Sequence, residues 1–336
     1  MILAKKTRNF VLIFLGFLFI GNLLAWSVVF DLNRPRFLEV IFFDIGQGDA
    51  IFIQTPKRTQ ILIDGGPSSR IIQKLGEAMP FYDRSIDLII STHPDADHLL
   101  GLIDVFKRYK VNFVGTNGTK SSRPEFQEFE KQIQKKNVFL KILKRGQRIL
   151  VGDNLYPVRN MSDNSLQPSH VIDNSCDGIS CHARVSNGVS FEILAPLEDF
   201  KGREVVDFNT SSIVLRMIFG ENSFLFTADA PKTIEEQLVA AGSDLDSDIL
   251  KVSHHGSRSS TTEIFLRTVT PEIAVIQVGK DNQYGHPHSE VLERLEKYGI
   301  KIFRTDIDGD IKVISDGVSL GRAVSGSTPS AKMKKQ

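Results

Sequence analysis

The sequence predicts an α/β protein with two sheets and outer helices, preceded by one transmembrane helix. Short apolar runs separated by turn residues follow one another early in the chain and alternate with helical patterns later. A run of 22 uncharged residues extends from Asn9 to Phe30. The chain has 336 residues, 41% of them hydrophobic, which is enough to form a full core without staples. Disordered, collagen-like and disulfide-scaffold classes are therefore excluded for most of the chain.

The uncharged run at 9–30 is predicted to be a transmembrane signal anchor. As a helix it would be about 33 Å long, and the bilayer core is about 30 Å thick. Lys5, Lys6 and Arg8 precede the run, so the positive-inside rule places residues 1–8 in the cytoplasm and the rest outside. A cleaved signal peptide and a buried helix are the alternatives, although the apolar core of a signal peptide is normally shorter.

The remaining chain is predicted to contain a linker at 31–36, one globular domain at 37–318 and a disordered basic tail at 319–336. Residues 31–331 hold 35 basic and 40 acidic side chains, which excludes a surface that is basic all over. The stretch 131–150 has seven basic residues and no acid, and it is able to neutralise several phosphates. A solvated face, or a contact with anionic lipid or cell-wall polymer, is the alternative.

The domain's elements are predicted from hydrophobic spacing and turn residues. The first half has strands at 38–46, 49–55, 59–66 and 86–92, helices at 70–79 and 99–109, and strand or turn segments at 112–118, 137–143 and 147–153. The second half has strands at 191–197, 211–220, 222–229, 248–256, 273–279, 300–306 and 310–316, and helices at 233–242 and 289–299. The strand at 86–92 is predicted to be buried because its apolar residues are nearly continuous.

The two cysteines, Cys176 and Cys181, lie in a segment rich in turn-forming residues. A local disulfide in an oxidising compartment is the favoured interpretation. A small mixed metal site with His170 and His182 is the alternative, since two cysteines alone do not complete a tetrahedral zinc site.

The loop after the strand at 86–92 carries four potential metal ligands within six residues: His93, Asp95, Asp97 and His98. Carboxylates and neutral imidazoles close together are what a divalent ion requires. The alternative is a helix-capping aspartate with surface histidines. Two later strands also end in ligand-type residues, the first at Asp229 and the second at the pair His254 and His255. Each of these alone has a simpler interpretation, as a helix cap or a surface pair.

Six motifs occur in order: LIDGG at 62–66, HPDADH at 93–98, NTSSIVLR at 209–216, FLFTAD at 224–229, LKVSHHGS at 250–257 and a YGHP turn at 284–287. They lie between FFDIGQGDAIFI at 42–53 and FRTDIDGDIKVIS at 303–315. Together they resemble the metallo-β-lactamase superfamily, and more closely the exported hydrolase domain of ComEC competence proteins. The resemblance implies a four-layer αββα sandwich over 37–318, with the site at the open edge between the sheets.

The resemblance implies two divalent ions, manganese or zinc, with magnesium also possible. Its ligand set is His93 and Asp95 for one ion, Asp97, His98 and His254 for the other, and Asp229 bridging both. The superfamily has another histidine before the strand at 211–220, where this chain has DFNTSS. Asn209 or Asp207 is expected to replace it, or the first site is weak or water-filled. Oxygen-rich ligation shifts the preference from zinc toward harder ions.

The remaining roles also follow from the resemblance. A metal-activated water is the expected nucleophile, and Asp97 is the catalytic residue that orients it or accepts its proton. Asp64 and His255 are expected to support the ligands. His286 is expected to contact a phosphate oxygen or donate a proton to the leaving group, or else is a simple turn histidine. Ser257 is a candidate substrate contact.

The function implied is hydrolysis of phosphodiester bonds, with DNA as the substrate of a nuclease outside the membrane. A phosphoesterase acting on teichoic-acid or lipid head groups is one alternative. A non-catalytic module of a DNA-uptake or envelope complex is the other. Competence proteins carry many membrane spans, and one is predicted here, so a separate DNA-uptake channel is an expected partner. The expected location is the cell membrane, single-pass, with the hydrolase domain outside the cytoplasm.

Overall fold

The computed structural model describes residues 2–32, 37–152, 155–160 and 188–324. The chain divides into two compact units, residues 1–36 and residues 37–336. The first unit is the helix α1, Ile2–Leu32. Within it, Asn9–Val29 has a mean hydropathy of 2.3 and is long and apolar enough to cross a membrane. The uncharged run is therefore a candidate membrane span, by length and composition.

The second unit contains all the strands and seven further helices of the described chain. The strands are β1 Leu38–Phe42, β2 Ile51–Gln54, β3 Gln60–Ile63, β4 Ser85–Ser91, β5 Lys110–Thr116, β6 Phe139–Ile142, β7 Gln147–Val151, β8 Leu155–Asn160, β9 Val189–Ala195, β10 Val214–Phe219, β11 Asn222–Phe226, β12 Ile249–Lys251, β13 Ile273–Ile276, β14 Lys301–Arg304, β15 Ile311–Ser315 and β16 Leu320–Val324. The helices are α2 Arg70–Ala78, α3 Ala96–Arg108, α4 Pro124–Lys135, α5 Lys232–Ala240, α6 Glu263–Val269, α7 Ser289–Lys297 and α8 Thr305–Asp308. Two 3-10 turns lie at Phe208–Ser211 and Ser253–Gly256.

The strands form two eight-stranded mixed sheets. The first has the order β16-β15-β1-β2-β3-β4-β5-β6, and the second has the order β14-β13-β12-β11-β10-β9-β7-β8. Strands β3 to β6 run parallel in the first sheet, and β11 to β14 run parallel in the second. Helices connect parallel strands, as such connections require.

The two sheets pack face to face between outer helices, which confirms the predicted αββα sandwich. Alternate residues of a strand point to opposite faces, so Phe42 lies in the core between the sheets whereas Phe43 packs outward beneath the helices of the first sheet. Phe226 enters the same inner core from the second sheet. A third core of apolar residues lies between the second sheet and α5, α6 and α7.

The topology brings the predicted ligands to one edge. Because β3 and β4 are parallel, Asp64 and the loop that begins at Thr92 leave the first sheet at the same end. Asp229 and His254 follow the parallel strands β11 and β12 in the same way. The carboxyl ends of both sets of parallel strands therefore supply the site, as is common in α/β proteins.

The structure corrects two features of the sequence prediction. Leu320–Val324 forms β16, antiparallel to β15, so the predicted disordered tail does not begin at 319. Backbone pairing and the packing of Leu320 against the inner core stabilise this small-residue strand. Helices α4, α6 and α8 were not predicted, although Phe126, Phe129 and Ile133 of α4 have helical spacing and are buried. Residues 325–336 and the pair Cys176 and Cys181 lie outside the described residues, as do His170 and His182.

Candidate metal centre

Asp64 organises the end of the first sheet from a strained backbone position. Its φ is +56°, a left-handed conformation that non-glycine residues seldom adopt. Oδ1 accepts a hydrogen bond from the backbone N–H of Thr92 at 2.8 Å, and Oδ2 accepts one from the Thr92 hydroxyl at 2.6 Å. Asp64 is 1% exposed. Its carboxylate therefore fixes the start of the loop that begins at Thr92.

His98 receives its orientation from the same carboxylate. Nδ1 of His98 lies 2.9 Å from Oδ2 of Asp64. Since a carboxylate only accepts, Nδ1 carries the hydrogen, and Nε2 of the neutral ring presents a lone pair. His93 is arranged similarly, with Nδ1 2.9 Å from the hydroxyl oxygen of Thr92, which already donates its own hydrogen to Asp64. Both imidazoles thus turn Nε2 away from the sheet as a ligand atom.

His255 reaches the centre from a left-handed turn in the second sheet. His254, His255 and Gly256 have φ values of +49°, +54° and +82°. A Cβ at Gly256 would lie 2.5 Å from Cβ of Pro287, so this position requires glycine. Nδ1 of His255 donates to the backbone carbonyl of Gln277 at 2.8 Å, which leaves Nε2 as the ligand atom.

Four side chains converge on one point: Asp97, His98, Asp229 and His255. One ligand atom from each lies within 4.8 Å of the other three. Oδ1 of Asp229 is 3.4 Å from Nε2 of His98, and Oδ2 of Asp229 is 3.4 Å from Nε2 of His255. Nε2 of His255 is also 3.5 Å from Oδ2 of Asp97. Two imidazole nitrogens and two carboxylates form a donor set that suits zinc or manganese.

The buried polar atoms of this cluster support the fit of a cation. Among the described residues, Nε2 of His98, Nε2 of His255 and Oδ1 of Asp229 have no hydrogen-bond partner, although each is buried. Buried polar atoms are nearly always satisfied, so such exceptions indicate a missing ligand. The four residues therefore fit a divalent ion. We call this group the four-donor cluster.

The electrostatics of the cluster favour positive charge. Burial lowers the pKa of His98, but the carboxylates of Asp229 and Asp64 outweigh it and hold that pKa well above its ordinary value. Burial likewise opposes the charged form of His255, and Asp229 and Asp97 raise its pKa to about 10. A divalent ion would replace the protons that this field otherwise retains.

A second group of potential ligands lies behind the four-donor cluster and contains Asp49, Asp64 and His98. Most of its atoms are engaged, although Oδ1 of Asp49 has no hydrogen-bond partner among the described residues. Nζ of Lys251 contacts Oδ2 of Asp49, lies 3.6 Å from Oδ1 of Asp229 and donates to the carbonyl of Ala228 at 2.8 Å. The Lys251 side chain is fully buried. This group therefore already contains a cation, the ammonium of Lys251. The ammonium also lies close to Asp229 of the four-donor cluster.

His93 and Asp95, the expected ligands of a first ion, lie beside the cluster. Nε2 of His93 is buried without a hydrogen-bond partner among the described residues, and it is 3.6 Å from Oδ2 of Asp95. Arg123 donates from Nη1 to Oδ1 of Asp95 at 2.7 Å, and its guanidinium lies 4.6 Å from the ring centre of Phe208. Burial and the nearby His98 lower the pKa of His93 to about 3, so its ring is neutral. This pair supplies two donor atoms.

The segment that lacks the expected histidine lies close to this pair. The backbone N–H of Ile213 donates to the carbonyl of Thr92 at 3.1 Å. Oδ1 of Asn209 is buried and has no hydrogen-bond partner within the described ranges. The side chain of Asp207 instead accepts the backbone N–H of Asn209 at 3.0 Å and caps the 3-10 turn. Among the described residues, Oδ1 of Asn209 is thus left as a free metal-ligand atom, whereas Oδ1 of Asp207 is used in the cap.

The structure differs from the sequence interpretation at the histidine pair. His255, expected only to support the site, belongs to the four-donor cluster, whereas Nε2 of His254 is 3.8 Å from Oδ2 of Asp229. The left-handed turn swings the first histidine outward, and His254 is 28% exposed. The ring of His286 lies edge-to-face with it, with centroids 5.6 Å apart. Burial and the neighbouring His255 lower the pKa of His286 to about 4.

Ser257 closes the turn rather than pointing at the cluster. Its backbone N–H donates to the carbonyl of His254 at 2.8 Å, and its hydroxyl is 2.9 Å from that of Ser259. Three residues with a place in the centre were not assigned from the sequence: Asp49, Arg123 and Lys251. Asp49 lies just before β2 within the FFDIGQGDAIFI motif, and Lys251 lies two residues before the histidine turn, so their positions within the motifs were the available signal.

Comparison with known proteins agrees with this geometry. Residues 43–176 match the family described as the metallo-beta-lactamase superfamily. This is a metallo-β-lactamase-fold domain. Two solved structures also resemble it. The metallo-β-lactamase-fold protein YhfI from Bacillus subtilis has a TM-score of 0.49 and 10% identity, and the match covers 82% of this chain and 99% of that one. The metallo hydrolase Igni18 from Ignicoccus hospitalis has a TM-score of 0.49 and 11% identity, and the match covers 82% of this chain and 98% of that one.

The metallo-β-lactamase-fold domain is also similar to proteins of bacterial competence. The chain is 28% identical over 291 residues to ComE operon protein 3 of Bacillus subtilis, and 29% identical over 278 residues to competence protein ComA of Neisseria gonorrhoeae. These matches cover 82% and 81% of this chain but 32% of each relative. The chain therefore spans about a third of the length of the curated relatives that it matches.

Proposed function

We propose that this protein is a membrane-anchored hydrolase of phosphodiester bonds outside the cytoplasm, with DNA as its substrate. The four-donor cluster is the observation that carries the proposal. It combines a divalent-ion ligand set with a position at the open edge of a hydrolase fold. The similarity to competence proteins supports DNA as the substrate.

A divalent ion held by Asp97, His98, Asp229 and His255 would supply Lewis acidity, which would lower the pKa of water and neutralise charge on a phosphate. The chain's own residues orient the reaction. Asp97 lies at the rim of the cluster, since its side chain is about one-third exposed while the other three donors are buried. Its carboxylate is therefore placed to orient the attacking water or accept its proton. Oδ2 of Asp97 lies 3.5 Å from Nε2 of His255, so both atoms face the same ion position.

A second, weaker ion position is proposed at His93 and Asp95, with Asp229 shared between the two. Arg123 holds Oδ1 of Asp95, which leaves Oδ2 directed toward Nε2 of His93. Oδ1 of Asn209 is the candidate third donor, because it is buried without a partner among the described residues. With fewer fixed donors than the four-donor cluster, this position is expected to bind an ion less tightly.

The rim of the site carries groups that suit an anionic polymer. Arg123 is 47% exposed beside the metal loop, and besides the ion pair of Nη1 with Asp95 its other guanidinium N–H groups donate to no group among the described residues. His286 is neutral near pH 7 and half-buried, so one ring nitrogen can donate a hydrogen bond to a phosphate oxygen. We propose that these two residues position the substrate.

The anchor assignment rests on the apolar helix and the charges that precede it. Asn9–Val29 has the length and hydropathy of a membrane span. Lys5, Lys6 and Arg8 precede it without an acidic residue, which favours a cytoplasmic N-terminus. A DNA-uptake channel is the proposed partner, because the matched competence relatives are about three times as long as this chain.

The experiment is a substrate panel with the detergent-solubilised full chain. Fluorescent single-stranded DNA, a glycerol phosphodiester and bis-p-nitrophenyl phosphate are each incubated with Mn²⁺, Zn²⁺ or Mg²⁺. We expect cleavage of DNA with Mn²⁺, and a loss of at least about a hundredfold in Asp229→Asn, because that residue contacts both imidazoles of the cluster.

The matched control is Asp244→Asn, an exposed aspartate far from the metal loop in sequence, which is expected to leave the rate unchanged. Intact DNA together with turnover of the glycerol diester would support a head-group phosphoesterase instead. No turnover of any substrate, with no ion bound, would favour a non-catalytic module.

A further inference from the structure

The end of the first sheet opposite the metal centre carries a row of basic and aromatic side chains. The amino ends of β1, β4, β5 and β6 all lie at this end, because β1 runs antiparallel to β2, β2 antiparallel to β3, and β3 to β6 are parallel. We call the residues at these strand starts the basic edge. Its members are Phe37, Phe81, Tyr82, Arg84, Arg108, Lys110, Lys136 and Phe139.

A cleft of about 650 Å³ lies in the basic edge between the starts of β5 and β6. Four cationic residues line it, Lys107, Arg108, Lys110 and Lys136, and no carboxylate does. Lys107 pairs with Asp104 at 3.0 Å. The other three form no ion pair among the described residues and are exposed. The cleft therefore presents uncompensated positive charge to its surroundings.

Large exposed aromatic rings accompany this charge. Phe81 is 61% exposed, Phe139 53% and Phe37 43%. Phe81 and Tyr82 form an edge-to-face pair with centroids 5.4 Å apart. Exposed aromatic rings beside lysine and arginine are typical of surfaces that enter the interface of an anionic bilayer.

The connection to the apolar helix decides which partner this surface fits. The helix joins β1 through residues 33–36, and a chain from Leu32 to Leu38 spans at most about 22 Å when fully extended. The start of β1 is part of the basic edge, so the tether leaves the domain at this surface. A face held that close to a bilayer meets lipid head groups before any soluble polyanion.

We propose that the basic edge docks on the surface of the membrane that holds the anchor, by binding the head groups of anionic phospholipids. This inference rests on the anchoring given under Proposed function. Strand β5 has seven residues and is about 23 Å long at about 3.3 Å per residue, so docking directs the metal centre away from the bilayer. The contact belongs to the first sheet, because at the same end of the second sheet Glu221, Asp244, Asp246 and Glu272 outnumber the basic residues Arg216 and Lys301.

Quenching by brominated phospholipids tests the proposal in the full chain. Trp26 is the only tryptophan, so the Trp26→Phe substitution removes the tryptophan fluorescence of the chain, and a single new tryptophan can then be observed alone. Phe81→Trp reports on the basic edge, and Ile307→Trp, 69% exposed in α8 at the metal end, is the matched control. Both variants are placed in nanodiscs of phosphatidylcholine with or without phosphatidylglycerol, in EDTA and without substrate.

We expect strong quenching at position 81 in anionic discs, weaker quenching in neutral discs or high salt, and little quenching at position 307 under any condition. The triple variant Arg108→Glu, Lys110→Glu, Lys136→Glu should abolish the lipid dependence, since each basic residue contributes about fivefold to binding at an anionic surface. Charge reversal at the metal end by Lys201→Glu, Lys232→Glu and Lys280→Glu should leave the lipid dependence of the quenching unchanged.

Equal quenching at positions 81 and 307, or quenching that ignores lipid charge, would overturn the inference. So would a triple variant that keeps its quenching but loses affinity for single-stranded DNA in EDTA, since the edge would then be a nucleic-acid site. Quenching of Trp26 in the unmodified chain checks the anchor separately. If Trp26 is quenched but the Phe81→Trp variant is not, docking alone is contradicted, whereas an unquenched Trp26 contradicts the anchoring proposal.

Discussion

Oδ2 of Asp64 accepts a hydrogen bond from Nδ1 of His98 at 2.9 Å, directly behind the metal centre. The bond fixes the tautomer of His98, so that Nε2 faces Asp229. The same carboxylate also holds the backbone and hydroxyl of Thr92. One side chain therefore links the end of β3, the start of the ligand loop and a ligand on α3.

Asp64→Asn is expected to lower the affinity for Mn²⁺ by about 10- to 100-fold, because an amide cannot accept all three of these hydrogen bonds. Isothermal titration of the chelator-treated chain measures the change. Asp104→Asn, on the exposed face of α3, is the control and should bind Mn²⁺ as the wild type does. Unchanged affinity in Asp64→Asn would show that His98 does not depend on this carboxylate for its orientation.

The buried ion pair of Lys251 and Asp49 predicts a loss of stability when one partner is removed. Lys251→Met leaves the carboxylate of Asp49 buried without its cation, and breaking such a pair costs about 3–5 kcal/mol. The double variant Lys251→Met, Asp49→Leu should regain much of this free energy of unfolding. Urea denaturation in EDTA measures all three proteins. Equal stability of the wild type and Lys251→Met would contradict a structural role for the pair.

Several parts of the centre were accessible from the sequence, because they depend on local order. Asp64, His98 and Asp229 each follow an apolar strand, and parallel neighbours place strand ends together. The pairing of Asp49 with Lys251 joins residues about 200 positions apart, so no local pattern reveals it. The placement of His255, rather than His254, in the four-donor cluster depends on consecutive left-handed residues, a backbone property that two adjacent identical side chains do not reveal.

The fold itself was predictable in outline but not at its margins. The alternating and continuous apolar runs indicate the strands because burial on one or both sheet faces requires them. Strand β16 lacks such an apolar run. Its backbone pairing with β15 provides stabilisation that its side chains do not. Helix α4 is short of apolar residues overall, and three buried ones anchor it to α3 and the sheet.

Glu235 offers a test away from the metal centre. Its carboxylate is buried in α5 and accepts backbone N–H groups from Thr261 and Thr262. Glu235→Gln replaces one accepting oxygen by a donor, which leaves a buried N–H unsatisfied and costs about 1–3 kcal/mol. Glu236→Gln, its exposed neighbour, is the control. Thermal denaturation at neutral pH measures both, and equal melting temperatures would contradict the assigned contacts.

The difference in stability between the wild type and Glu235→Gln should also depend on pH. Burial raises the pKa of its carboxyl above the ordinary 4.5. The unfolded chain therefore releases this proton at a lower pH than the folded chain. As the pH rises from 4.5 through the raised pKa of Glu235, the free energy of unfolding of the wild type falls. The glutamine variant has no such decrease, because glutamine does not titrate. The gap between the two melting temperatures should narrow over that range, and a gap that widens would be inconsistent with the raised pKa.

The two proposed ion positions differ in their donors, so they should differ in affinity. Titration of the metal-free chain with Mn²⁺ is expected to show one tight and one weaker ion. His93→Ala should remove the weaker ion and keep the tight one, whereas His255→Ala should remove the tight one, because only His255 belongs to the four-donor cluster. Elemental analysis after gel filtration provides the count. Loss of the tight ion in His93→Ala would reverse the assignment.

The location of the ion tests the metal centre most directly. Crystals of the full chain soaked in Mn²⁺, with data collected at the manganese absorption edge, give an anomalous difference map. We predict the strongest peak within coordination distance of Nε2 of His98, Nε2 of His255 and the carboxylates of Asp97 and Asp229. A strongest peak between Asp49 and Asp64, or no peak at this edge of the sheets, would contradict the four-donor cluster as the metal centre.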